Sequence, residues 1–358
     1  MSSAKELPEE KRILIRNAVQ RINDIANNLL ENSKKNIDKQ NELQNNNADF
    51  FESTPSNLQL SNHQLDTYLL SSLIDTIVSE KRIQYRDKPN INIAADLNQA
   101  YGLFVQIDSQ KLQTVLSNLI NNSVEALPEF KGEITVSIRG YTNTILIVVF
   151  DNGIGIPSNI LSNIGKLGFS YGKKGTESGS GMGIAHAKNT IESFGGKFEI
   201  QSRSGDGTMI NITLKREKTP PWFVEEIQLS STTYIVIIDD DFSIHQVWIG
   251  RLKSLNILDF TQYSSFTSIK SFIEWFSNFI KNSTHDISKI LFLVDYEFLN
   301  ESMTGLDLIE ELNITKQSIL ITSRYEESQI RTRCDRLSIR LIPKSMTGLV
   351  PIKFENSF

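Results

Sequence analysis

Cysteine is almost absent from the sequence, since Cys334 is the only one in 358 residues. A single thiol excludes an internal disulfide framework and is typical of a reducing compartment. Long apolar runs are missing as well, and the first residues, Met1–Glu6, lack the apolar segment of a signal peptide. These absences predict a cytoplasmic protein with no membrane segment.

The sequence also lacks an excess of basic residues. Lys and Arg number 37 against 42 Asp and Glu, which leaves a net charge of −5. Nucleic-acid binding requires positive charge that neutralises phosphates, so we do not expect nucleic acid as a direct partner. Hydrophobic residues at 39% and charged residues at 22% are typical of a globular protein, and the length allows two or three domains.

Residues 1–48 have the pattern of a helical segment. Apolar residues recur at helical spacing within Arg12–Asn36, from Ile15 to Leu30. A helix with one apolar stripe must pack against a partner. That partner is either another part of the same chain or a second copy in a homodimer, and the sequence leaves both open.

Residues 56–218 alternate between helix and strand patterns, which predicts an α/β sandwich of two layers. We expect a helix that includes Leu65, Tyr68, Leu69 and Val78, with Ser61–Asn62 as its cap. Further helices are predicted at Asp108–Ala126 and Gly183–Phe194, and strands at Ile91–Ile93, Leu103–Ile107, Ile134–Arg139, Thr144–Phe150, Phe198–Ser202 and Met209–Leu214.

Two polar signals lie within this region. Asn118 and Asn122 share one helix face, and amide oxygens suit Mg²⁺, although a plain polar helix face would give the same pair. Asp151 follows a buried strand, where its carboxylate can accept a hydrogen bond from the amine of adenine. Gly153 and Gly155 let the backbone approach a ring, and the alternative is an ordinary Asp-Asn-Gly turn.

A third signal is the glycine triplet Gly179, Gly181 and Gly183, which opens a helix. Backbone N–H groups at such a start can bind phosphates. The triplet is not a dinucleotide-binding fingerprint, because no clear strand precedes it. Lys173 in the preceding loop either reaches the phosphates or is a solvated charge.

In this order and spacing, the three signals resemble the asparagine box and two glycine boxes of histidine-kinase ATP-binding domains, which have the Bergerat-type ATPase fold. Gly168–Ser170 resembles a reduced phenylalanine box, and Gly207–Thr208 resembles the terminal glycine–threonine turn. The resemblance covers Leu58–Lys215. It implies ATP and Mg²⁺ as cofactors. It further implies a set of roles: Asn122 as the Mg²⁺ ligand supported by Asn118, Asp151 as the adenine reader, Lys173 as a catalytic residue, and Gly153, Gly155, Gly179, Gly181, Gly183 and Thr208 around the nucleotide.

Residues 232–358 have apolar strands that alternate with helices, which predicts a doubly wound parallel sheet. The strands are expected at Tyr234–Ile238, near Ile257, and at Ile290–Val294, Ser318–Ile321 and Ser338–Ile342. The helices are expected at Ser243–Leu255, Thr267–Lys281, Leu306–Leu312 and Glu326–Arg336.

Polar residues follow four of these strands: Asp239 and Asp240, Asp295, Thr322 and Lys344. Carboxyl ends of parallel strands meet at one edge, so these side chains can converge, and clustered carboxylates bind Mg²⁺. The arrangement resembles the receiver domain of response regulators. That resemblance implies Asp239, Asp240 and Asp295 as metal ligands, Asp295 as phosphoacceptor, Thr322 as switch hydroxyl and Lys344 as phosphate contact.

The sequence departs from the receiver pattern in four ways. Asp295–Gly305 is longer than usual, Leu341 stands where many receivers have an aromatic residue, the order Pro343–Lys344 is reversed, and the fifth helix is predicted to be absent or very short. These departures concern signal output more than phosphate binding.

An acceptor histidine is missing from the expected place. The sequence has four histidines, and none precedes Arg12. Residues 1–48 resemble the second helix of a dimerisation and phosphotransfer hairpin, whose first helix is not seen. We therefore expect a hybrid histidine kinase that uses a histidine-containing phosphotransfer partner or another kinase. The alternatives are an ATP-binding phosphorelay module without its own acceptor and a non-kinase ATPase, against which the receiver resemblance argues.

Overall fold

A computed structural model describes residues 67–161, 163–164, 183–259, 261–282, 286–299 and 301–355. The predicted helical segment at residues 1–48 lies outside these ranges, and so do Gly168–Ser170, Lys173, Gly179 and Gly181. Among the helices in the described ranges, none combines the length and apolar character needed to cross a membrane.

The first part of the structure is a mixed five-stranded sheet covered by helices. The strand order is β2-β4-β5-β7-β6, and only β2 and β4 pair in parallel. The elements are β1 (Thr67–Leu69), α1 (Leu70–Gln84), β2 (Ile91–Asp96), β3 (Phe104–Gln106), α2 (Ser109–Ala126), β4 (Gly132–Gly140), β5 (Thr144–Asp151), α3 (Ser158–Leu161), α4 (Gly183–Ser193), β6 (Lys197–Arg203) and β7 (Gly207–Lys215).

Local sequence explains most of these elements. The Asp108 side chain caps α2 by accepting a hydrogen bond from the Lys111 N–H at 3.0 Å. Along α2, the apolar residues that recur at helical spacing are fully buried, as Leu112 and Leu119 illustrate. In β5 buried positions alternate with half-buried ones, which places one face of the strand in the core. The two-layer arrangement of this part is therefore confirmed.

The predicted start of the first helix was wrong. Tyr68 and Leu69 form part of β1, which pairs antiparallel with β3, and Tyr68 lies opposite Val105. Leu69 has extended backbone angles, and α1 begins only after it. Pairing with a strand more than thirty residues away outweighs the local apolar period, which continues smoothly from Leu69 into the helix.

The second part contains a five-stranded sheet that is parallel throughout, with the order β10-β9-β11-β12-β13. Every residue of β12 is buried, as expected for a strand covered on both faces. The elements are β8 (Ile227–Ser230), β9 (Tyr234–Ile238), α5 (Phe242–Ser254), β10 (Gln262–Phe266), α6 (Ile269–Asn282), β11 (Ile290–Asp295), α7 (Gly305–Glu311), β12 (Ser318–Thr322), α8 (Ser328–Leu337), β13 (Arg340–Pro343) and β14 (Ile352–Glu355).

One feature of this part differs from the prediction, and another agrees with it. The strand expected near Ile257 is a 3₁₀ turn, Ile257–Asp259, and the strand itself is β10. Because β10 lies at the sheet edge, its sequence is largely polar and lacks the apolar run of the inner strands. After β13 the described residues form a 3₁₀ turn, Lys344–Met346, and then β14, in agreement with the predicted absence of a full fifth helix. Strand β14 pairs in parallel with β8.

An aromatic seam joins the two sheets within one compact unit, Asp66–Phe358. The residues of the seam are Tyr101, Phe104, Trp222, Phe223 and Tyr325, whose rings contact one another at centroid distances of 4.9 to 6.0 Å. The segment Trp222–Val224, which lies between the two parts in the chain, also forms backbone hydrogen bonds with the edge strand β13. The Leu341 N–H donates to the Trp222 carbonyl at 2.7 Å, and the Val224 N–H donates to the Leu341 carbonyl at 3.1 Å.

Candidate functional sites

Helix α2 presents the two predicted asparagines on one face. Asn118 and Asn122 are both half-buried. Asn122 lies beside the start of α4, because a Cβ atom added at Gly183 would be 3.8 Å from Asn122 Nδ2. The structure therefore brings together one asparagine of the first signal and one glycine of the third.

The neighbouring Asn121 is held by a second helix, and sequence reasoning missed this contact. Lys81 Nζ in α1 donates to Asn121 Oδ1 at 2.6 Å, and Tyr85 Oη donates to the same oxygen at 3.0 Å. Lys81 is buried, with 5% of its surface exposed. Lys81 continues the helical spacing of the buried residues Ile74 and Ile77, and a lysine at such a position is the signal that could have indicated a buried polar partner.

Asp151 ends β5 and is buried, with 3% exposure. Its Oδ2 accepts a hydrogen bond from Ser123 Oγ at 2.9 Å, and its Oδ1 accepts one from the Gly153 N–H at 3.0 Å. Burial raises the pKa of Asp151, while the bonds from Gly153, Ser123 and the Thr208 N–H oppose part of this shift. The carboxyl group is thus fixed in orientation by α2, by its own turn and by β7.

The turn after Asp151 packs tightly against the neighbouring β6–β7 turn. Gly155 has a φ of +65°, and a Cβ atom there would lie 1.9 Å from the Arg203 carbonyl oxygen, so only glycine fits. Thr208 lies opposite Asp151 in the β5–β7 pairing, and its Oγ1 is 3.0 Å from Ser202 Oγ. Asn122, Asp151, Gly153, Gly155, Gly183 and Thr208 thus belong to connected elements, while Lys173, Gly179 and Gly181 lie outside the described residues.

Comparison with known proteins identifies this part of the chain. Residues 107–218 match the family described as histidine kinase-, DNA gyrase B-, and HSP90-like ATPase. This part of the chain has a histidine kinase-like ATP-binding fold, and we call it the ATPase domain. In this ATPase domain the matched range contains both asparagines, Asp151 and Thr208.

Relatives of the ATPase domain are named kinases, and one of the two described here is named a histidine kinase. Sporulation kinase C of Bacillus subtilis (strain 168) is 29% identical over 164 residues, which are 45% of this chain and 35% of the relative. The sensor histidine kinase WalK of the same organism is 35% identical over 126 residues, which are 34% of this chain and 20% of the relative. The chain thus spans about a third or less of the length of these relatives.

A solved structure of the mycobacterial sensor histidine kinase MprB is 22% identical to the chain. It covers 43% of this chain and 98% of its own length, with a TM-score of 0.36. The family match over residues 107–218, together with the named relatives, carries the identification of the ATPase domain.

A second cluster lies at the carboxyl edge of the parallel sheet. Asp239, Asp240 and Asp295 offer oxygens that all lie within 4.8 Å of one another. Lys344 Nζ donates to Asp239 Oδ1 and to Asp295 Oδ2, each at 3.0 Å, and its side chain is 3% exposed. We call these four residues the acidic pocket. Thr322 ends β12 at the same edge, where its Oγ1 accepts a hydrogen bond from the Arg324 N–H at 2.9 Å.

Two oxygens of the acidic pocket are buried without a hydrogen bond among the described residues. They are Asp239 Oδ2 and Asp240 Oδ1. The other Asp240 oxygen accepts from the Leu299 N–H at 2.6 Å, and Asp295 Oδ1 accepts from the Tyr296 N–H at 2.8 Å. Buried orphan acceptors are costly unless a donor or cation satisfies them, and carboxylate oxygens are the ligands that Mg²⁺ prefers. The acidic pocket therefore fits a divalent cation.

Burial controls the electrostatics of the acidic pocket. It raises the pKa of Asp239 to about 6, although the Lys344 ammonium group opposes the shift. It raises the pKa of Asp295 well above its ordinary value, and the charge of Asp239 acts in the same direction. One lysine therefore does not compensate three close carboxyl groups, and the pocket favours additional positive charge.

Two further residues at the acidic pocket were not recognised from the sequence. His245 is buried, and its Nε2 lies 2.7 Å from the Asp239 carbonyl oxygen, which ties α5 to the end of β9. Arg324 pairs with Glu297 at 2.8 Å and with Glu327, and it thereby fixes the loop after Thr322. These contacts depend on how the chain turns after β9 and β12, and no periodic pattern in the sequence indicates such a turn.

Proposed function

We propose that the protein is a histidine protein kinase of hybrid type, which binds Mg·ATP in its ATPase domain and relays the phosphoryl group to Asp295. The observation that carries the proposal is the family match over residues 107–218, a range that contains Asn122 and Asp151. The kinase names of the relatives support it.

In the nucleotide site, each residue has a separate task under this proposal. Asp151 accepts a hydrogen bond from the exocyclic amine of adenine, and guanine has no donor at that position. Asn122, supported by Asn118, holds Mg²⁺, which neutralises charge on the phosphate oxygens. The phosphates are enclosed by the segment with Lys173, Gly179, Gly181 and Gly183, and Gly153, Gly155 and Thr208 shape the pocket around the base.

The transfer proceeds in two steps. A histidine imidazole nitrogen attacks the γ-phosphorus, the bond to the bridging oxygen breaks, and ADP leaves. A carboxylate oxygen of Asp295 then attacks the phosphohistidine, so that the N–P bond breaks and an acyl phosphate forms. Asp239 and Asp240 would hold Mg²⁺, which would supply positive charge next to Asp295, and Lys344 and Thr322 would donate hydrogen bonds to the phosphoryl oxygens.

The sheet order supports the receiver-like assignment of the second part. In the order β10-β9-β11-β12-β13, β10 lies on one side of β9 and the later strands lie on the other. The direction in which the chain adds strands therefore reverses beside β9, and ligands bind at such a switch point. Asp239 directly follows β9 and Asp295 is the last residue of β11, so each of these two strands contributes one carboxyl group at this point. The residues 1–48 provide a homodimer contact in this proposal.

A second candidate is a catalytically incomplete ATP-binding phosphorelay module that lacks its own acceptor histidine. The positions of the described histidines favour it. His245 is fully buried beside Asp239, and His186 lies on α4 of the ATPase domain itself. In the first candidate this chain phosphorylates a histidine of a phosphotransfer partner. In the second, another kinase forms the phosphohistidine and this chain does not transfer the phosphoryl group of ATP itself.

Incubation with γ-labelled ATP distinguishes the two candidates. We expect little acid-labile phosphohistidine on the protein alone, and labelling of a histidine-containing phosphotransfer protein when it is added. Asp151→Ala is the control, since it should abolish the labelling by removing the adenine contact. Strong labelling of the protein alone, which persists when residues 1–48 are removed, would contradict a missing acceptor; no labelling of any partner would leave the second candidate.

Asp295 should take label from a small phosphodonor such as acetyl phosphate in the presence of Mg²⁺. The acyl phosphate should be released by hydroxylamine, which distinguishes it from a phosphoester. Asp295→Ala should remove the label, and Asp335→Ala, an acid on the surface helix α8, should retain it. Equal labelling of the Asp295→Ala protein would refute Asp295 as the acceptor.

A further inference from the structure

Two loops at the sheet edge that carries the acidic pocket contact the first turn of α1. The loop after Thr322 carries Tyr325, whose hydroxyl accepts a hydrogen bond from Ser72 and donates one to Glu326 Oε1 at 2.9 Å. The turn after Lys344 carries Met346, whose sulfur accepts a hydrogen bond from Ser71 Oγ at 3.3 Å. Ser71 and Ser72, which are adjacent in α1, thus each contact one of the two loops.

These contacts are buried and closely packed. Ser71 is 0% exposed, Met346 2% and Tyr325 6%. The Tyr325 ring lies 6.0 Å from the Trp222 ring in the aromatic seam. Burial also raises the pKa of Tyr325 well above its ordinary value, so the hydroxyl remains a neutral donor. Close-packed groups shift together, so neither loop can move without disturbing α1 or the seam.

The far end of the same helix touches the nucleotide site. Lys81 and Tyr85, at the carboxyl end of α1, both bond to the side chain of Asn121 in α2. Asn121 immediately precedes Asn122, the proposed Mg²⁺ ligand. A helix of 15 residues therefore spans from the loops of the acidic pocket to the asparagine face of the ATPase domain.

We propose that α1 couples the acidic pocket to the nucleotide site, so that a phosphoryl group at Asp295 changes the affinity of the ATPase domain for ATP. This inference rests on the function proposed above for both sites. When Thr322 and Lys344 turn toward the phosphoryl oxygens, they displace Tyr325 and Met346, and these residues shift α1. The coupling is reciprocal, so ATP changes the affinity of the acidic pocket for a phosphoryl analogue by the same factor.

Calorimetry with a non-hydrolysable ATP analogue tests the coupling. Beryllofluoride, which takes the place of a phosphoryl group on a carboxylate, occupies the acidic pocket at constant Mg²⁺. We expect it to change the dissociation constant of the nucleotide by at least about fivefold. In Asp295→Asn the beryllofluoride effect should vanish, which excludes its action at the nucleotide site.

Two variants break the relay without touching either ligand. Tyr325→Leu removes the hydroxyl and the ring contact while it keeps apolar volume, and Ser72→Ala is the milder change. Both should still bind each ligand alone, but the effect of one on the other should fall below about twofold for Tyr325→Leu. Tyr263→Phe, at a tyrosine that is 38% exposed on β10, is the matched control and should keep the full effect.

The possible outcomes distinguish failure of the coupling from failure of the proposed function. Titration of each ligand alone shows whether the nucleotide site and the acidic pocket exist, and failure of either overturns the proposed function together with the coupling. If both ligands bind the wild type but do not affect each other, only the coupling is overturned. The same holds if the full effect survives in both Tyr325→Leu and Ser72→Ala.

Discussion

Replacement of Asp151 by alanine is expected to weaken ATP binding about 100-fold, which corresponds to ~2.7 kcal/mol. The carboxylate is fixed by Ser123 and Gly153, so it meets adenine without a cost for ordering. Hydrogen bonds to ionised, desolvated groups are the strong ones. Loss of Asp151 also leaves the Ser123 hydroxyl and the Gly153 N–H without their acceptor.

The measurement is calorimetric titration with ATP and with GTP in the presence of Mg²⁺. Asp151→Ala should lose the preference for ATP over GTP, a readout that a general loss of folding would not change selectively. Asn122→Ala should weaken both nucleotides equally, because it acts on the metal and phosphates. Asn143→Ala, at an exposed asparagine before β5, is the matched control. Unchanged affinities in Asp151→Ala and Asn122→Ala would remove these residues from the site.

Replacement of Lys344 by methionine is expected to lower the free energy of unfolding by about 3 to 5 kcal/mol in the absence of divalent cations. The ammonium group lies 3.0 Å from both Asp239 and Asp295, and all three side chains are buried. Its removal leaves buried carboxylates without a counter-charge. Mg²⁺ should restore most of the loss, because it supplies positive charge to the same oxygens.

Urea unfolding with a chelator and with excess Mg²⁺ measures this effect. The control is Lys353→Met, which removes an exposed lysine that pairs with Glu226 at 2.9 Å and should cost less than about 1 kcal/mol under either condition. A loss in Lys344→Met that Mg²⁺ does not reduce would show that the carboxylates of the acidic pocket do not bind the cation.

The parts of the sites that sequence could predict are those that depend on local periodicity. Helical spacing places Asn118 and Asn122 on one face, and a buried strand delivers Asp151 to its carboxyl end. The grouping of Asp239, Asp295 and Lys344 follows from parallel strands, whose carboxyl ends share an edge. Each of these placements follows from helical spacing or from the pairing of the strands, and no other contact between distant residues is needed to predict it.

The parts that could not be predicted depend on distant pairings. Strand β1 exists because β3 pairs with it, and β8 and β14 pair across more than a hundred residues. The contacts of Ser71 with Met346 and of Ser72 with Tyr325 likewise join residues far apart in sequence. Serine and methionine carry no pattern that identifies such partners, so the sequence did not indicate how the ATPase domain meets the parallel sheet.

The hydrogen bonds between the Trp222–Val224 segment and β13 bear on how this chain can be divided. They cover an edge strand that would otherwise offer unpaired backbone groups to another molecule. A fragment that starts at residue 232 would lose this cover and the β8 partner of β14. The parallel sheet therefore cannot be exchanged between proteins as residues 232–358 alone. A natural or engineered fusion must include the preceding residues, which cover the edge strand and prevent self-association.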